Sequence, residues 1–550
     1  MSSTQTDDTD KTPVEDPDVC VVGAGPAGAL LSHRLAKRGH DVVILEAGPR
    51  FDMEERVERM KRQIHPERGV DEIWDMGGER DEYTVSSDIP MPLNKRRAKG
   101  VGGTSLHWGS VVPRFRERDF EMESRHGVGK DWPISYGDLR PYYAEAEQEI
   151  GVAGPDEAPH QPPREEGYPM DPLPESYADK LYAKAGDALG IDVQPMPMAI
   201  NTGAYDRNEC QGHGTCEHVC PSGGKYTADI HVEKAEQEGA TVITEVPVQR
   251  LEHGPDGEEI TEAVYKTPDG ETHRQTADVF VAAAGAYETP RLLFLSESDQ
   301  YPNGLANSSG TLGKYFMDHS GGLVVGFLPG LEHSTTEYGP VISSGVFQFY
   351  DDDEAPTGGI NMMLLNGAEP PIATVAMTSD EIGDELLEKI DLQAGNSIGL
   401  TLSTETLPRE DNTITLDRSK TDNNGNPVLD VDFSVGQYAI DATEKGVSEF
   451  TDMVEELGGT VVLSQGTHTL NKADEFIEQT EGGYHPMGGT RMGEDPTESV
   501  VDPTLKTHDL ENLYISGGGV FVTGGASNPT LTIMALSLKA ADHIDEELQG

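Results

Sequence analysis

The sequence predicts an α/β protein in which a Rossmann-like dinucleotide-binding domain is interrupted by a mixed-sheet α+β domain for the substrate. Three observations indicate this: a strand–turn–helix unit at residues 19–48, alternating strands after residue 320, and a return to glycine-rich loops after residue 479. A chain of 550 residues is also too long for one core, since single cores stop growing near about 250–300 residues.

The N-terminal unit has the spacing of a dinucleotide-binding turn. The apolar run Val19–Val22 is typical of a strand buried on both faces, and Gly23, Gly25 and Gly28 follow it as G-x-G-x-x-G. These glycines permit the tight turn, the approach of a pyrophosphate, and close packing of the next helix, whose N-terminus attracts phosphate. Glu46, at the end of the next strand, is expected to accept a hydrogen bond from a ribose hydroxyl.

The charge balance limits the possible partners. The formal net charge is −57, from 98 acidic and 41 basic residues that are spread along the whole chain. Such a surface argues against nucleic acid as a partner, because phosphate backbones are bound by Lys and Arg. It is typical of proteins from the salty cytoplasm of halophilic archaea, where counterions screen the repulsion, and an acidic mesophilic enzyme is the alternative.

Composition also divides the chain. Residues 1–17 are polar and acidic, which predicts a disordered lead-in, and they lack the regions of a signal peptide. No apolar run approaches the ~18 residues of a membrane helix, so we expect a soluble cytoplasmic protein that reaches a membrane or the exterior only through a partner. The predicted dinucleotide-binding domain comprises residues 18–320 and 480–550, and the substrate domain comprises mainly residues 321–479.

Alternating apolar residues predict the strands of the substrate domain, and an amphipathic pattern predicts one helix near its end. The predicted strands are 321–328, 341–350, 360–365, 397–405, 412–416 and 428–433, with a long amphipathic helix over Gln437–Leu457. A strand over Leu513–Ser516 and a last helix from Thr530 complete the chain.

Several segments occur in a fixed order along nearly the full length: GAGPAG with ILEAG, GVGGTSLHWG, WPISYGDLRPYY, FVAAAGAYETPRLL, GKYFMDH, HPMGGTRMG and SNPTLTIMALSLKAADHI. In these segments the chain resembles the glucose–methanol–choline (GMC) oxidoreductases, which are FAD-dependent alcohol and sugar dehydrogenases and oxidases. The resemblance implies FAD as the dinucleotide and oxidation of an alcohol by hydride transfer to flavin N5.

The resemblance also implies the cofactor contacts. Val248 would hold the adenine through its backbone, and the loop Gly102, Gly103, Thr104 and Ser105 would line the flavin. The other expected contacts are Gly285, Gly519, Asn528 and Pro529. Many members carry an acidic residue after the C-terminal strand, whereas this chain has only serine and glycine at 516–519.

His107 is in register with a G-G-x-S-x-H pattern of the family. In some members this histidine bonds covalently to the flavin 8α carbon. A histidine that only packs near the flavin is the alternative.

His485 and Asn528 are the expected catalytic residues. An imidazole suits removal of the hydroxyl proton, and an amide can hold the developing alkoxide. His485 lies in the glycine-flanked loop HPMGG, and Asn528 precedes Pro529 at the start of the last helix, with the separation of the family's His/Asn or His/His pair. A structural loop histidine and a helix N-cap are the alternatives.

The four cysteines fall into two groups. Cys20 lies inside the first strand and is expected to be a small buried apolar residue, whereas Cys210, Cys216 and Cys220 share one loop that ends in Pro221. Three is an odd number for disulfides, so metal binding is favoured. Zinc with His213 or His218, an iron–sulfur cluster, and unmetallated thiols remain open on residue types alone.

The cysteine loop resembles that of the flavoprotein subunits of bacterial glucose, gluconate, fructose and sorbitol dehydrogenases. That resemblance implies a 3Fe–4S cluster, a small companion subunit, and single electrons passing to a protein or quinone acceptor. A sugar, polyol or alcohol dehydrogenase is therefore favoured. An oxidase that uses O₂, a flavin-containing lyase and a non-catalytic flavoprotein subunit are the alternatives.

Overall fold

The computed structural model describes residues 11–63, 73–74, 76–87, 89–203, 205–331, 335, 339–351, 357–366, 372, 376–377, 379–393, 395–466 and 482–550. The strands are β1 (Val19–Val22), β2 (Val42–Leu45), β3 (Tyr83–Val85), β4 (Val193–Pro195), β5 (Thr241–Ile243), β6 (Val248–His253), β7 (Ile260–Lys266), β8 (Thr272–Gln275), β9 (Val279–Ala282), β10 (Ser320–Phe327), β11 (Ile342–Val346), β12 (Ile360–Leu365), β13 (Ser397–Thr404), β14 (Thr413–Thr421), β15 (Pro427–Asp432), β16 (Thr460–Gly466) and β17 (Leu513–Ile515).

The helices are α1 (Pro26–Lys37), α2 (Arg56–Gln63), α3 (Glu117–Phe120), α4 (Met122–His126), α5 (Tyr136–Ile150), α6 (Tyr177–Leu189), α7 (Asp229–Gln237), α8 (Gly285–Leu295), α9 (Asp384–Gln393), α10 (Gln437–Glu456) and α11 (Thr530–Gln549). Among these described helices, none has a stretch both long and apolar enough to cross a bilayer.

A parallel five-stranded sheet, ordered β17-β9-β1-β2-β5, carries the dinucleotide turn. Strands β1, β2 and β9 are buried at every position, which is why they read as continuous apolar runs. Helix α1 starts at Pro26, whose fixed φ suits the first helical position. A Cβ at Gly28 would lie 2.1 Å from the Gly23 carbonyl oxygen, so only glycine lets α1 pack this closely on the turn. The predicted Rossmann-like unit is confirmed.

A second sheet of six strands, ordered β16-β10-β13-β12-β11-β4, is antiparallel at every pairing. Helices α10 and α6 pack on one face, where Phe450 of α10 shares a cluster with strand side chains such as Val324 and Leu400. Neighbouring residues on the strands, such as Leu323 and Met363, point to the opposite face. That opposite face forms one wall of the candidate site described below.

Strand pairings cross the predicted domain boundaries in two places. Helix α6 and strand β4 precede residue 320 but join the six-stranded sheet, whereas β14 and β15 pair with β3 in a mixed three-stranded sheet beside α8. Strand β16 was not among the predicted strands, and its alternating exposure and polar residues are those of an edge strand. Residues 467–479 of the predicted substrate domain lie outside the described residues.

Part of the N-terminal lead-in is held against the protein. The Gln275 side chain accepts a hydrogen bond from Val14 N and donates one to Val14 O, both 2.8 Å, and the Tyr265 hydroxyl donates to Lys11 O (2.7 Å). Residues 11–17 therefore differ from the expected disordered segment, because partners distant in sequence satisfy their backbone groups. Residues 1–10 lie outside the described residues.

Candidate active site

A cavity of about 1040 Å³ is bordered by the carboxyl end of β1 and by one face of the six-stranded sheet. This volume suits a ligand larger than most drugs, whose pockets are about 300–1,000 Å³. Most of the predicted site residues line it: Gly23, Gly25, Glu46, Gly103, Thr104, Ser105, His107, Val248, Gly285, His485, Asn528 and Pro529.

Gly25 and Glu46 shape the dinucleotide end of this cavity. A Cβ built on Gly25 would meet no atom within 4 Å, so the backbone at the start of α1 faces open space that suits a pyrophosphate. Glu46 is buried, and its two carboxylate oxygens accept hydrogen bonds from Ala24 N (2.8 Å) and Gly48 N (2.9 Å). Glu46 thus fixes the turn, while each oxygen keeps a second lone pair for a ribose hydroxyl.

The loop at 102–107 presses against the dinucleotide turn. Gly102 N donates to Ala24 O (3.0 Å), and a Cβ on Gly103 would lie 2.9 Å from the Cα of Gly25. The Ser105 hydroxyl donates to Gly102 O (2.6 Å) and accepts from Ala228 N (2.8 Å). The glycines are therefore needed where two backbone segments meet beside the cofactor site.

Three predicted cofactor contacts lie behind the cavity surface. Gly28 and Gly102 contact the backbone of the dinucleotide turn at Gly23 and Ala24. A Cβ on Gly519 would lie 2.5 Å from the Thr490 hydroxyl oxygen. The neighbours of Gly519, Gly517 and Gly518, line the cavity instead. These three glycines have a packing role in this structure.

His107 is buried at the cavity wall. Its Nε2 has no hydrogen-bond partner among the described residues, and such a buried orphan is expected to meet a ligand. Burial, with the Lys225 cation nearby, lowers the pKa of His107 to about 3, so the ring is neutral with one unprotonated nitrogen.

The expected catalytic residues His485 and Asn528 are in contact, and His319 also contacts His485. Asn528 Nδ2 donates to His485 Nε2 (3.1 Å), and His485 Nδ1 lies 2.9 Å from Nδ1 of His319. Asn361 Nδ2 lies 3.3 Å from the Asn528 amide oxygen, which orients the amide nitrogen towards His485. Because an amide nitrogen can only donate, His485 Nε2 is the unprotonated nitrogen and Nδ1–H donates to His319.

Burial keeps these imidazoles neutral. Burial, followed by the adjacent His319, holds the pKa of His485 well below its usual range, and burial lowers the pKa of His319 to about 4. A neutral imidazole with an unprotonated Nε2 at the cavity is a proton acceptor.

Asp318 holds the loop that carries His485. Its carboxylate accepts hydrogen bonds from the backbone N–H of His485 and His319, both 2.9 Å, and from Gly483 N. The residue is buried, which raises its pKa to about 6. Sequence reasoning did not select Asp318 or His319, although the matched segment GKYFMDH contains both.

The cysteine loop borders the cavity. Cys216 is buried, Cys210 and Cys220 are half-buried, and all three are free thiols. Burial raises the pKa of Cys216 to about 12, whereas the Ser222 hydroxyl and Lys225 overcome burial and lower the pKa of Cys220. Cys20 is buried in β1, as predicted.

Lys225 joins the cysteine loop to the flavin loop. Its buried ammonium donates to the carbonyl oxygens of Leu106 (3.1 Å), Trp108 (3.0 Å) and Cys216 (2.6 Å). Two of these carbonyls flank His107, and the cysteine-loop residues Glu217 and His218 line the cavity. One cation therefore fixes the position of the cysteine loop beside the cofactor site.

Comparison with known proteins identifies the family. Two models described as GMC oxidoreductase match residues 91–320 and 408–537, and a model described as NAD(P)-binding Rossmann-like domain matches residues 21–61. The fructose dehydrogenase large subunit of Gluconobacter japonicus is 34% identical to this chain, over 97% of this chain and 98% of that protein. The chain belongs to the GMC oxidoreductase family.

Other GMC relatives agree with this assignment. The 2-methyl-1,2-propanediol dehydrogenase of Mycolicibacterium austroafricanum is 29% identical, over 97% of this chain and 96% of that protein. The fold is similar to that of a formate oxidase variant from Aspergillus oryzae RIB40, with a TM-score of 0.66 and 17% identity over 98% of this chain and 99% of that chain. This GMC protein is an FAD-dependent oxidoreductase that acts on CH–OH groups of alcohol- or sugar-like substrates.

Proposed function

We propose that the protein is a dehydrogenase of a sugar, polyol or related alcohol that passes single electrons to a partner protein or a quinone. The observation that carries this proposal is the neutral His485, which is held between Asn528 and His319 at the cavity that the dinucleotide turn also lines. The two relatives described above, both named as dehydrogenases, support the reaction type.

His485 and Asn528 divide the work on the substrate hydroxyl. Nε2 of His485 takes the hydroxyl proton, because it is the unprotonated ring nitrogen and lies at the cavity beside Asn528. The Asn528 amide then donates to the oxygen that becomes negative, and His319 Nδ1 accepts from the other side of the His485 ring. Asp318 keeps the His485 backbone in place during this transfer.

The cavity fits FAD by its size, by the open space at Gly25 and by the orphan nitrogen of His107. FAD bound there would supply the hydride acceptor. The dinucleotide turn, Glu46 and the N-terminus of α1 would hold the phosphates and ribose, and the loop at 103–107 would hold the flavin.

We also propose that His107 Nε2 bonds covalently to the flavin 8α carbon. Formation of this bond would replace one hydrogen of the methyl group and release a proton and two electrons; the flavin ring would take up the electrons and pass them to the same acceptor as the electrons of the substrate. Flavin should stay with the acid-precipitated wild type and be freed from His107→Ala, while His218→Ala, which removes another cavity imidazole, should retain it. Release of flavin from acid-treated wild type would show that no bond forms.

Cys210, Cys216 and Cys220 would hold the iron–sulfur cluster. Sulfurs on one zinc ion can be no more than about 4.6 Å apart, since a Zn–S bond is about 2.3 Å long. In the described part of the chain, Cys210, Cys216 and Cys220 do not form a group whose ligand atoms all lie within 4.8 Å of one another. In a 3Fe–4S cluster each cysteine would bind a different iron, so the sulfurs lie farther apart than on one zinc ion, and the cluster would supply one-electron transfer from the flavin to a companion subunit or acceptor.

The reaction is tested by adding alcohols, sugars and polyols to the purified protein without oxygen and following flavin absorbance. A substrate should bleach the flavin, and reoxidation should be faster with a quinone or one-electron acceptor than with O₂. Fast reoxidation by O₂ alone would indicate an oxidase, and turnover of a substrate without bleaching would indicate a lyase.

The electron route is tested with Cys216→Ser. Its flavin should still be bleached by substrate and a small dye should still be reduced, but iron, acid-labile sulfide and reduction of a protein or quinone acceptor should be lost. Cys20→Ala, which removes a thiol outside the loop, should keep the iron. Zinc in place of iron, or equal rates with the large acceptor, would contradict the cluster.

A further inference from the structure

Three helices meet at a group of ligand side chains outside the cavity lining. His33 lies on α1, Glu149 near the end of α5 and His231 on α7, and one ligand atom of each lies within 4.8 Å of the others. His33 and His231 are buried, whereas Glu149 keeps 25% of its side chain exposed. The group is thus closed on the protein side and open to solvent at the carboxylate.

We propose that His33, Glu149 and His231 bind a divalent transition-metal ion, with Zn²⁺ as the ion that this ligand set suits best. Two imidazoles and one carboxylate are a ligand set of zinc sites that keep a fourth position for water. Because Zn–N and Zn–O bonds are about 2.0–2.2 Å long, neighbouring ligand atoms of a tetrahedral site lie about 3.3 Å apart. The 3.2 Å between His231 Nε2 and the Glu149 carboxylate oxygen matches that spacing.

The surroundings of His231 are those of a metal ligand. Its other ring nitrogen, Nδ1, lies 2.6 Å from the hydroxyl of the buried Tyr226, which fixes the orientation of the ring with Nε2 towards Glu149. Metal-bound histidines nearly always have such a partner on the second nitrogen. The nearest cation on the same helix, Lys234, is paired with Asp206 (3.0 Å) and so repels the ion less.

His33 distinguishes the group from an ordinary histidine–carboxylate pair. Its ring centroid lies 5.3 Å from that of His231, and one of its nitrogens lies within 4.8 Å of the ligand atoms of both His231 and Glu149. The exposed pair of His160 and Asp192 has a similar spacing, 2.8 Å, but takes no part in a group of three ligands in the described part of the chain.

A metal ion here would tie α1, which follows the dinucleotide turn, to α5 and to α7, which follows the cysteine loop. The predicted role is structural, because His33, Glu149 and His231 do not line the cavity. The inference does not depend on the proposed reaction or on the cluster.

The test uses the full-length, FAD-loaded protein after treatment with a chelator, with iron measured before and after treatment. We expect wild type to bind one Zn²⁺ per chain in titration calorimetry and elemental analysis, and its melting temperature to rise with Zn²⁺. His33→Gln should lose this ion, and Tyr226→Phe should bind it about 10–100-fold more weakly. His160→Gln is the matched control and should bind as wild type does.

Co²⁺ identifies the ligands. In wild type the cobalt spectrum should show visible bands without the intense near-ultraviolet bands of cobalt–thiolate bonds, which excludes the cysteine loop as the site. Glu149→Gln, at a partly exposed helix end, gives the same comparison should His33→Gln fail to fold. No retained ion in wild type, equal binding in His33→Gln and Glu149→Gln, or thiolate bands would overturn the proposal.

Discussion

At the scale of single residues, His485 is kept neutral by burial and by a second imidazole. No carboxylate lies within hydrogen-bond distance of its ring in the described part of the chain; its partners are Asn528 and His319. A base with a lowered pKa stays unprotonated at acidic pH, since it acts in the form that dominates above its pKa. The ring is therefore ready to accept a proton over the whole neutral range.

We predict that His485→Ala keeps FAD but reduces flavin with substrate about 10²–10⁴-fold more slowly, because the proton acceptor is gone. In wild type, the acidic limb of kcat/KM should lie below the ordinary histidine pKa of about 6.5, as the lowered pKa of His485 requires. Stopped-flow flavin reduction measures both. His508→Ala, in the same C-terminal segment but outside the cavity lining, should react normally.

A near-normal reduction rate in His485→Ala would remove this residue from the mechanism. An acidic limb at or above about 6.5 would instead show that substrate binding or another group controls the profile.

At the scale of elements, the first turn uses its glycines for two different purposes. Gly28 is needed by the protein itself, since a Cβ there would lie 2.1 Å from a backbone oxygen, whereas Gly25 faces the open cavity. The φ of Gly25, −78°, is one that alanine also adopts. Gly28 is therefore expected to matter for the stability of the fold, and Gly25 for binding of the cofactor.

We predict that Gly28→Ala destabilises the protein by at least about 1–3 kcal/mol, as overpacking against backbone does. Gly25→Ala should keep the melting temperature of the FAD-free protein but lose FAD, because the new methyl group occupies the space of the pyrophosphate. Each variant is the control for the other in thermal melts with and without FAD. Equal FAD affinity in Gly25→Ala and wild type would contradict this placement of the phosphates.

The Lys225 clamp is a second element-scale prediction. Lys225→Met should lower stability by at least about 1.5–3 kcal/mol, the value of a hydrogen bond to a charged group, since three carbonyl oxygens lose their donor. It should also release FAD more readily, because two of those carbonyls flank His107. Denaturant unfolding and flavin fluorescence measure these effects.

The control for the clamp is Lys184→Met, which removes an exposed lysine of α6 and should leave stability unchanged. Similar losses in both variants would show that the effect comes from net charge and not from the clamp.

At the scale of the whole molecule, the net charge of −57 is expected to determine how the stability of the folded protein depends on salt concentration. Folding brings these charges together, so repulsion is relieved mainly by counterions. We predict that the melting temperature rises steeply with KCl into the molar range and that FAD dissociates in dilute buffer. A flat thermal profile between low and molar KCl would contradict the halophilic interpretation.

The sequence alone determined the parts of this protein that depend on local spacing. The dinucleotide turn, the extent of α10 to within one residue and the start of α11 follow from glycine positions and apolar periodicity, and the pairing of His485 with Asn528 follows from the family segments that contain them. Each depends on residues close together in sequence, or on a motif that adopts one backbone conformation.

Only the tertiary structure showed which residues that are distant in sequence lie in contact with each other. His319 beside His485, Lys225 between two loops, β4 in the second sheet, and His33 with Glu149 and His231 all join segments far apart in sequence. No local pattern marks such residues, because their burial and partners arise only when the helices and sheets pack against each other.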